Sequence, residues 1–213
     1  MARRKKEPEG FHRRQIAAAA GRLFETNGVV STTMDEIARE AGYSKATLYV
    51  YFQNKEEVVA ELTLESMKRL HRRIQSAVSR GLETREAYGE LCRELAEYQR
   101  EEPLYFEFAL KEIRPEPERP ECLPVKQETF QVGEQINGEI ARFLRDGIAR
   151  GDLRSDLDIL PTVLIFWGSL SGLILLASAK QAYLEATAGQ TRETFLDAGF
   201  ALLYRAIERR KLQ

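Results

Sequence analysis

The feature that most restricts the fold of this chain is an uncharged segment of 21 residues, "ILPTVLIFWGSLSGLILLASA", from Ile159 to Ala179. A segment of this length is long enough to cross a membrane as a helix. It also contains Pro161, Thr162 and three serines, and no other part of the sequence is suited to a membrane. We therefore expect a buried helix of a soluble protein, with a membrane-anchored protein as the alternative.

A helix that is apolar on every side must be covered on every side. Its own domain can cover one face, and an identical subunit can cover the other. Gly168 and Gly172 stand four residues apart beside Ser169 and Ser171, and such a ridge lets two helices approach closely. The sequence therefore predicts a homodimer, with a chance cluster of small residues as the alternative interpretation of the ridge.

Apolar residues recur at helical spacing through nearly the whole chain, without an alternating β-branched run or an Asn-Gly hairpin turn. This pattern predicts an all-α fold of about nine helices. Gly28 ends the first helix, and Thr33 with Glu36 has the spacing of a capping box that opens a short second helix. Asn54 with Glu57 has the same spacing at the start of a long fourth helix.

The second and third helices are short and are joined by a tight glycine turn, which predicts a helix-turn-helix. Ser44 can cap the third helix, in which Leu48 and Phe52 share the inner side at about 100° per residue. The outward residues are Ala46, Thr47 and Val50, flanked by Lys45, Tyr49 and Tyr51. Small outward side chains let a helix enter a DNA groove, and long polar ones reach phosphates. A protein-binding module with a tyrosine-rich surface is the alternative.

The stretch "GVVSTTMDEIAREAGYSKATLYVYFQNKEEVVAEL", preceded by "IAAAAGRLFETNG", resembles the DNA-binding domain of TetR/AcrR transcriptional regulators. The matching elements are the T-x-x-x-I-A-x-x-A-G run, the S-K-x-T-L-Y-x-Y-F-x-x-K-E-E run and their separation. The resemblance covers residues 11–65. It implies a dimeric repressor that binds a palindromic operator in the major groove of double-stranded DNA and responds to a small molecule.

By this resemblance the third helix contacts bases and phosphates. Thr33 lies where a phosphate docks at a helix N-terminus, and Lys55 holds a further phosphate. Ala46 stands where the family often has glycine, and Val50 where tyrosine is frequent. The candidate DNA-binding residues are Thr33, Ser44, Lys45, Ala46, Thr47, Tyr49, Val50, Tyr51 and Lys55.

The sequence and this resemblance together divide the chain into three parts. We expect a flexible basic arm at 1–10, a DNA-binding domain at 11–58 with its motif at 33–52, and a helical ligand-binding and dimerisation domain at 59–213. The resemblance implies that the last two helices dimerise as a four-helix bundle. The expected interface residues are Phe166, Gly168, Gly172, Leu175, Leu196, Phe200 and Leu203.

Aromatic residues crowd the middle helices, where most of them are core by default. The resemblance implies that some surround a pocket for an apolar or aromatic effector. The candidate pocket residues are Tyr88, Tyr98, Tyr105, Phe106, Phe130, Phe143 and Trp167.

Charge and motif content weigh against other functions. The chain carries 32 Lys and Arg against 33 Asp and Glu, whereas an architectural DNA-binding protein is expected to be strongly basic. An enzyme is disfavoured because the sequence has no nucleophile–base pair, metal-ligand cluster or glycine-rich phosphate loop. Cys92 and Cys122 are 30 residues apart without a CxxC motif, which argues against a disulfide framework or a zinc site. We expect a cytoplasmic protein without metal or cofactor.

Overall fold

The protein was analysed as a computed structural model of the single chain, in which residues 10–111 and 124–209 are described. These residues form helices without a β-strand among them, so the predicted all-α class is confirmed. The expected number of helices was nine, and the difference is one short turn, α9, which continues into a π-helix at Leu184–Ala188. The helices are α1 (Phe11–Ser31), α2 (Met34–Glu40), α3 (Lys45–Tyr51), α4 (Lys55–Val78), α5 (Thr84–Glu101), α6 (Pro103–Ala109), α7 (Pro124–Arg150), α8 (Ile159–Ala179), α9 (Gln181–Tyr183) and α10 (Arg192–Ile207).

The first three helices and the start of α4 pack around one hydrophobic cluster, which we call the N-terminal core. Its largest side chains are Ile16, Phe24, Ile37, Leu48 and Phe52. As expected, α1 is interrupted at Gly28, whose φ of 76° and ψ of 157° are non-helical and are adopted without strain by glycine. The chain therefore turns towards α2 before α1 formally ends.

A second cluster, the C-terminal core, contains the buried side chains of α5, α7, α8 and α10 together with most of α4. The long helix α4 contributes to both clusters, with Leu62 in the N-terminal core and Leu64 in the C-terminal core. The predicted domain boundary at residues 58 and 59 falls inside this continuous helix and stays a prediction.

The short helix α6 also contributes to both clusters. Phe108 is in the N-terminal core, with its ring centroid 6.5 Å from that of Phe24. Phe106 is in the C-terminal core, where it meets Tyr98 edge-on at 5.8 Å. Opposite sides of the same helical turn therefore contact the two cores.

Helix α8 is the one described helix that is long and apolar enough to cross a membrane, with a mean hydropathy of 2.1 over its best window. One side of α8 packs against α5, α7 and α10. The opposite side of α8 and one position on α10 form an outer apolar face, whose exposed side chains are Leu160, Leu164, Ile165, Leu176 and Leu202. The C-terminal core thus covers one side of α8 and leaves the opposite side exposed.

For three of the residues that were expected at the dimer interface, the structure shows contacts within the chain instead, and their interface role stays a prediction. Phe166, Leu196 and Phe200 are buried in the C-terminal core of their own chain, because each lies on the inner side of its helix. By contrast, Gly168 and Gly172 lie on the outer side of α8, where an added Cβ would meet no atom within 4 Å. The remaining two expected residues, Leu175 and Leu203, are half-buried.

Candidate nucleic-acid interface

Local hydrogen bonds fix the start of α2. Thr33 accepts from the Glu36 N–H at 3.3 Å, and the Glu36 carboxylate accepts from the Thr33 N–H at 2.7 Å. The predicted capping box is therefore complete. The Thr33 hydrogen bonds, first from its backbone and then from its hydroxyl, lower the pKa of the Glu36 carboxyl. A phosphate at Thr33 would have to displace this carboxylate, so the expected docking role of Thr33 stays a prediction.

The turn between α2 and α3 is also built as the sequence predicts. Gly42 has a φ of 75°, which suits glycine. Ser44 caps α3 by accepting from the Thr47 N–H at 3.1 Å. Since caps fix the direction in which a short helix starts, α3 is held at a defined angle to α2.

Helix α3 has the two faces that its sequence predicts. Leu48 and Phe52 are 0% exposed and belong to the N-terminal core. On the outside, Val50 is 79% and Tyr49 43% exposed. Lys45 and Ala46 are exposed as well. A small, prominent centre flanked by long polar side chains fits the width of a major groove.

On α3 itself, the side chains of Lys45 and Thr47 already have partners within the chain. Lys45 Nζ lies 2.8 Å from the Asp35 carboxylate, which raises the pKa of the ammonium. The pair is exposed, and exposed pairs contribute little, so a phosphate can replace Asp35. The Thr47 hydroxyl lies 2.8 Å from that of Ser44. A base contact by Thr47 would therefore share its hydroxyl with the helix cap.

Lys55 makes three hydrogen bonds within the chain, and its expected phosphate contact stays a prediction. Its ammonium donates to the carbonyl oxygens of Val29 at 2.7 Å, Val30 at 3.0 Å and Thr32 at 2.9 Å. An ammonium has three protons, so these bonds use all of them. Lys55 thus ties the first residue of α4 to the last turn of α1 and to Thr32 just after it. A phosphate would have to break one of these bonds.

The start of α4 also differs in detail from the expected capping box. Asn54 accepts from the Glu57 N–H at 2.9 Å, as predicted. The Glu57 carboxylate, however, accepts from the N–H of Gln53 at 2.9 Å rather than from that of Asn54. The reciprocal hydrogen bond therefore forms one residue earlier than in a capping box. The backbone N–H groups of Glu57 and Gln53 both have a partner.

Arg13 holds the end of α3 and was not recognised from the sequence. Its guanidinium donates to the Tyr51 carbonyl and to Glu61 at 2.9 Å, and lies 4.2 Å from the Phe52 ring centroid. The Tyr51 ring is half-buried beside His12, at 5.4 Å between centroids. No sequence signal links α1 to partners 38 and 48 residues later, because neither helical spacing nor a motif connects them.

Three of the expected pocket residues line one small cavity among the described residues. Tyr88, Phe143 and Trp167 line an apolar internal cavity of about 10 Å³, which is room for about one water molecule. The other candidates do not line it. Tyr98 and Phe106 pack on each other in the C-terminal core, Phe130 is 37% exposed, and the Tyr105 ring lies under the Arg69 guanidinium at 4.1 Å. A role of these four side chains in an effector pocket stays a prediction.

Comparison with known proteins places a known domain on this region. Residues 16–62 match the family model described as "Bacterial regulatory proteins, tetR family". The regulator TtgR of Pseudomonas putida is 42% identical over 71 residues, and EthR of Mycolicibacterium smegmatis is 38% identical over 77 residues. These matches span only 33% and 36% of the relatives' lengths, so they cover the N-terminal part.

Solved structures extend the similarity to the whole chain. A protein from Shewanella sp. PV-4, assigned to the TetR family of transcription regulators, is 26% identical, with a TM-score of 0.65 over 93% of this chain and 99% of that one. The fatty acid degradation regulator FadR of Bacillus halodurans is 20% identical, with a TM-score of 0.69 over 94% and 97%. At that lower identity the second comparison concerns the fold alone.

Proposed function

Because the chain belongs to the TetR family of bacterial regulatory proteins, whose named members are transcriptional regulators and not enzymes, we propose that it represses transcription from a palindromic operator. It binds double-stranded DNA as a homodimer in the cytoplasm, and a small molecule releases it. The observation that carries this proposal is the two-sided α3, whose outward face is unoccupied by the protein's own core.

In the proposed complex α3 enters the major groove. Val50 and Ala46 approach base edges, where a valine can touch a thymine methyl. Lys45 and Tyr49 reach the phosphates beside the groove. Because the chain as a whole has a net charge of −1, attraction to DNA is local to this face and to the basic residues before α1.

A homodimer supplies two copies of α3 for the two half-sites. Two-fold symmetric binding places the recognition helices about one helical turn of DNA apart, or a multiple of it. The outer apolar face is the proposed contact between the two subunits, because a group of exposed leucine and isoleucine side chains on one face marks an interaction site. A lipid surface would cover the same patch, and separation of membranes from a cell lysate distinguishes the two.

Release by a small molecule is a shift between two conformations. Helix α4 is continuous from the N-terminal core to the C-terminal core. A ligand that repacks the C-terminal core therefore moves the start of α4 and, through the Lys55 bonds, the helix-turn-helix. The two α3 helices then lose their register with successive grooves.

The test is a footprint of the purified protein on the intergenic DNA beside its own gene, with two variants. Val50→Glu adds a negative charge at an outward, 79% exposed position of α3, and Gln75→Glu adds the same charge at an exposed position of α4. We expect Val50→Glu to lose the footprint with an unchanged Tm, and Gln75→Glu to keep it. If Val50→Glu protects the operator as strongly as the wild type, α3 is not the groove-binding helix and the proposal fails.

A further inference from the structure

A second concave site lies between α5 and α10, apart from the small internal cavity. It is an open cleft of about 530 Å³, within the range of sites that hold small molecules. Its floor is largely apolar and is formed by Tyr88, Cys92 and Ala96 of α5 with Leu196 and Phe200 of α10. Such a floor accepts the apolar body of a ligand.

One end of the cleft carries a buried charge. Arg192, the first residue of α10, is 8% exposed, and its Nη2 donates to the Ala96 carbonyl at 3.1 Å and to Gln99 Oε1 at 3.0 Å. It forms no ion pair with a carboxylate in the described part of the chain. A buried cation without a counter-charge is unfavourable, and the positive end of a helix adds to the cost.

Arg100 places a second positive charge at the same end. Its side chain is exposed, lines the cleft and forms no ion pair with a described residue. Burial, partly offset by Glu193, lowers the pKa of the Arg192 guanidinium, and the Arg100 charge lowers it further. The two guanidinium groups therefore repel one another until an anion lies between them.

The other charged groups restrict which anion fits. Arg85 and Arg93 also line the cleft, but they pair with Glu208 at 3.2 Å and with Glu90 at 2.6 Å. The remaining charged groups of the lining are the carboxylates of Glu97, Glu193 and Asp197. These carboxylates would repel a ligand with several negative charges, so one acidic group is favoured over a polyphosphate.

We propose that the cleft binds an amphipathic organic anion, with its carboxylate on Arg192 and Arg100 and its apolar body on the floor between α5 and α10. Under the proposed function, on which this part of the inference rests, the ligand is the effector. Tyr88 connects the cleft to the internal cavity, since its ring lines both and its hydroxyl donates to the Phe200 carbonyl at 3.0 Å.

The cleft stays open in the proposed homodimer. Glu193, Asp197 and Ala201 line it from one side of α10. At about 100° per residue, Gly199 and Leu202 lie on the other side of that helix. Gly199 is packed against Leu173 of α8, and Leu202 belongs to the outer apolar face. A partner that covers the outer apolar face therefore leaves the cleft accessible.

The binding test uses the full chain without DNA and compares octanoate with octan-1-ol by calorimetry. The two probes share the alkyl chain, so their difference reports the anion contact. We expect octanoate to bind at least about tenfold more tightly, the effect of about one charge-assisted hydrogen bond. Arg100→Gln removes an exposed charge and should cancel most of that difference. Arg145→Gln, an exposed arginine of α7, is the matched control and should bind octanoate as the wild type does.

Two further variants locate the bound probe. Gly89 lines the cleft and has no atom within 4 Å of an added Cβ, so Gly89→Phe should fill the cleft and abolish binding while the Tm is kept. Trp167→Phe alters the internal cavity alone and should leave the affinity unchanged. The proposed site would be overturned if octanoate did not bind, or if it bound no more tightly than octan-1-ol. It would also be overturned if Trp167→Phe lost octanoate binding while Gly89→Phe kept it.

The effector role has a separate readout on operator DNA. Octanoate should release the wild-type protein and leave Arg100→Gln bound. If octanoate binds the cleft by the criteria above and the operator complex persists, the site stands and its regulatory role is overturned. If the wild-type protein binds no operator at all, the proposed function fails independently of the cleft.

Discussion

Lys45, the first residue of α3, and Lys55, the first residue of α4, carry the same charged group but have different partners. Lys45 is exposed and paired with one exposed carboxylate, so its charge is available to DNA. Lys55 is half-buried and its ammonium is saturated by three backbone carbonyls. We therefore expect the first lysine to contact DNA and the second to hold the helix-turn-helix in shape.

Replacing each lysine by methionine separates these roles. Lys45→Met should lower the slope of log affinity against log salt by about one, the effect of one lost phosphate contact. Lys55→Met should leave three carbonyls without a donor and lower the free energy of unfolding by about 1–3 kcal/mol. Salt titrations of DNA binding and urea unfolding measure the two effects. If Lys55→Met instead kept its stability and lowered the salt slope, Lys55 would be a phosphate contact, as expected from the sequence.

Tyr49 tests whether the flank of α3 lies against the DNA backbone. Its side chain is 43% exposed on the outward side of α3, where a tyrosine hydroxyl can donate to a phosphate. Tyr49→Phe should therefore weaken operator binding by about 0.5–1.5 kcal/mol, the value of one hydrogen bond, and leave the Tm nearly unchanged. Thermal denaturation and a binding titration decide this. A large loss of Tm with intact DNA binding would assign Tyr49 to the core instead.

The success and the failure of residue-level prediction have a common cause. Val50 was placed correctly because helical periodicity alone fixes which side of α3 it occupies. The partner of Lys55 was not predictable, because its acceptors lie 23 to 26 residues earlier in the chain. Their carbonyls converge only because Gly28 turns the backbone there. Spacing identifies a face, whereas a long-range partner depends on the assembled fold.

Besides α4, the short helix α6 joins the two cores. Phe108 contributes a fully buried ring to the N-terminal core, although it lies more than forty positions beyond the residues that match the family model. Phe106, two residues earlier in α6, packs against the Tyr98 ring in the C-terminal core. We therefore expect a displacement of α5 or α6 to reach the helix-turn-helix through these packed rings.

Truncating Phe108 should uncouple the two cores. Phe108→Ala should destabilise the N-terminal core by about 3–5 kcal/mol, as the loss of a buried phenylalanine does, and abolish DNA binding while the dimer persists. Phe130→Ala is the control, since an exposed phenylalanine should cost less than about 0.5 kcal/mol. Urea unfolding, size-exclusion chromatography and operator titration measure the three properties. If Phe108→Ala keeps full operator affinity, α6 does not support the DNA-binding domain.

The helices themselves were predictable, but the faces of the most apolar one were not. In α3 the alternation of apolar and polar residues marks an inner side. Helix α8 has no charged residue to mark an outer side, so the burial of Phe166 and the exposure of Ile165 have no local signal. They depend on where α5, α7 and α10 pack. Gly168 and Gly172 were placed on the outer side because a small-residue ridge is informative even within an apolar run.

At the scale of the whole molecule, the proposed homodimer depends on the outer apolar face. Gly172 offers a sharp test, because an added side chain there meets nothing within its own chain. In an isolated subunit Gly172→Leu should be harmless or stabilising by about 0.8 kcal/mol, since leucine favours the helix more than glycine does. Any loss of stability or of association must therefore come from a partner that occupies the space.

We expect Gly172→Leu to overpack the contact by about 1–3 kcal/mol in each subunit, so that the protein becomes a monomer or aggregates. Operator affinity should fall steeply, because each half-site then binds without the effective concentration that its partner supplies. Gly138→Leu is the matched control, since Gly138 is likewise an open helical glycine, on α7. Light scattering after size exclusion gives the mass, and footprinting gives the DNA affinity. A wild-type protein that is monomeric at micromolar concentration and still protects a palindrome would refute the dimer. A Gly172→Leu dimer with full affinity would move the contact away from the glycine ridge.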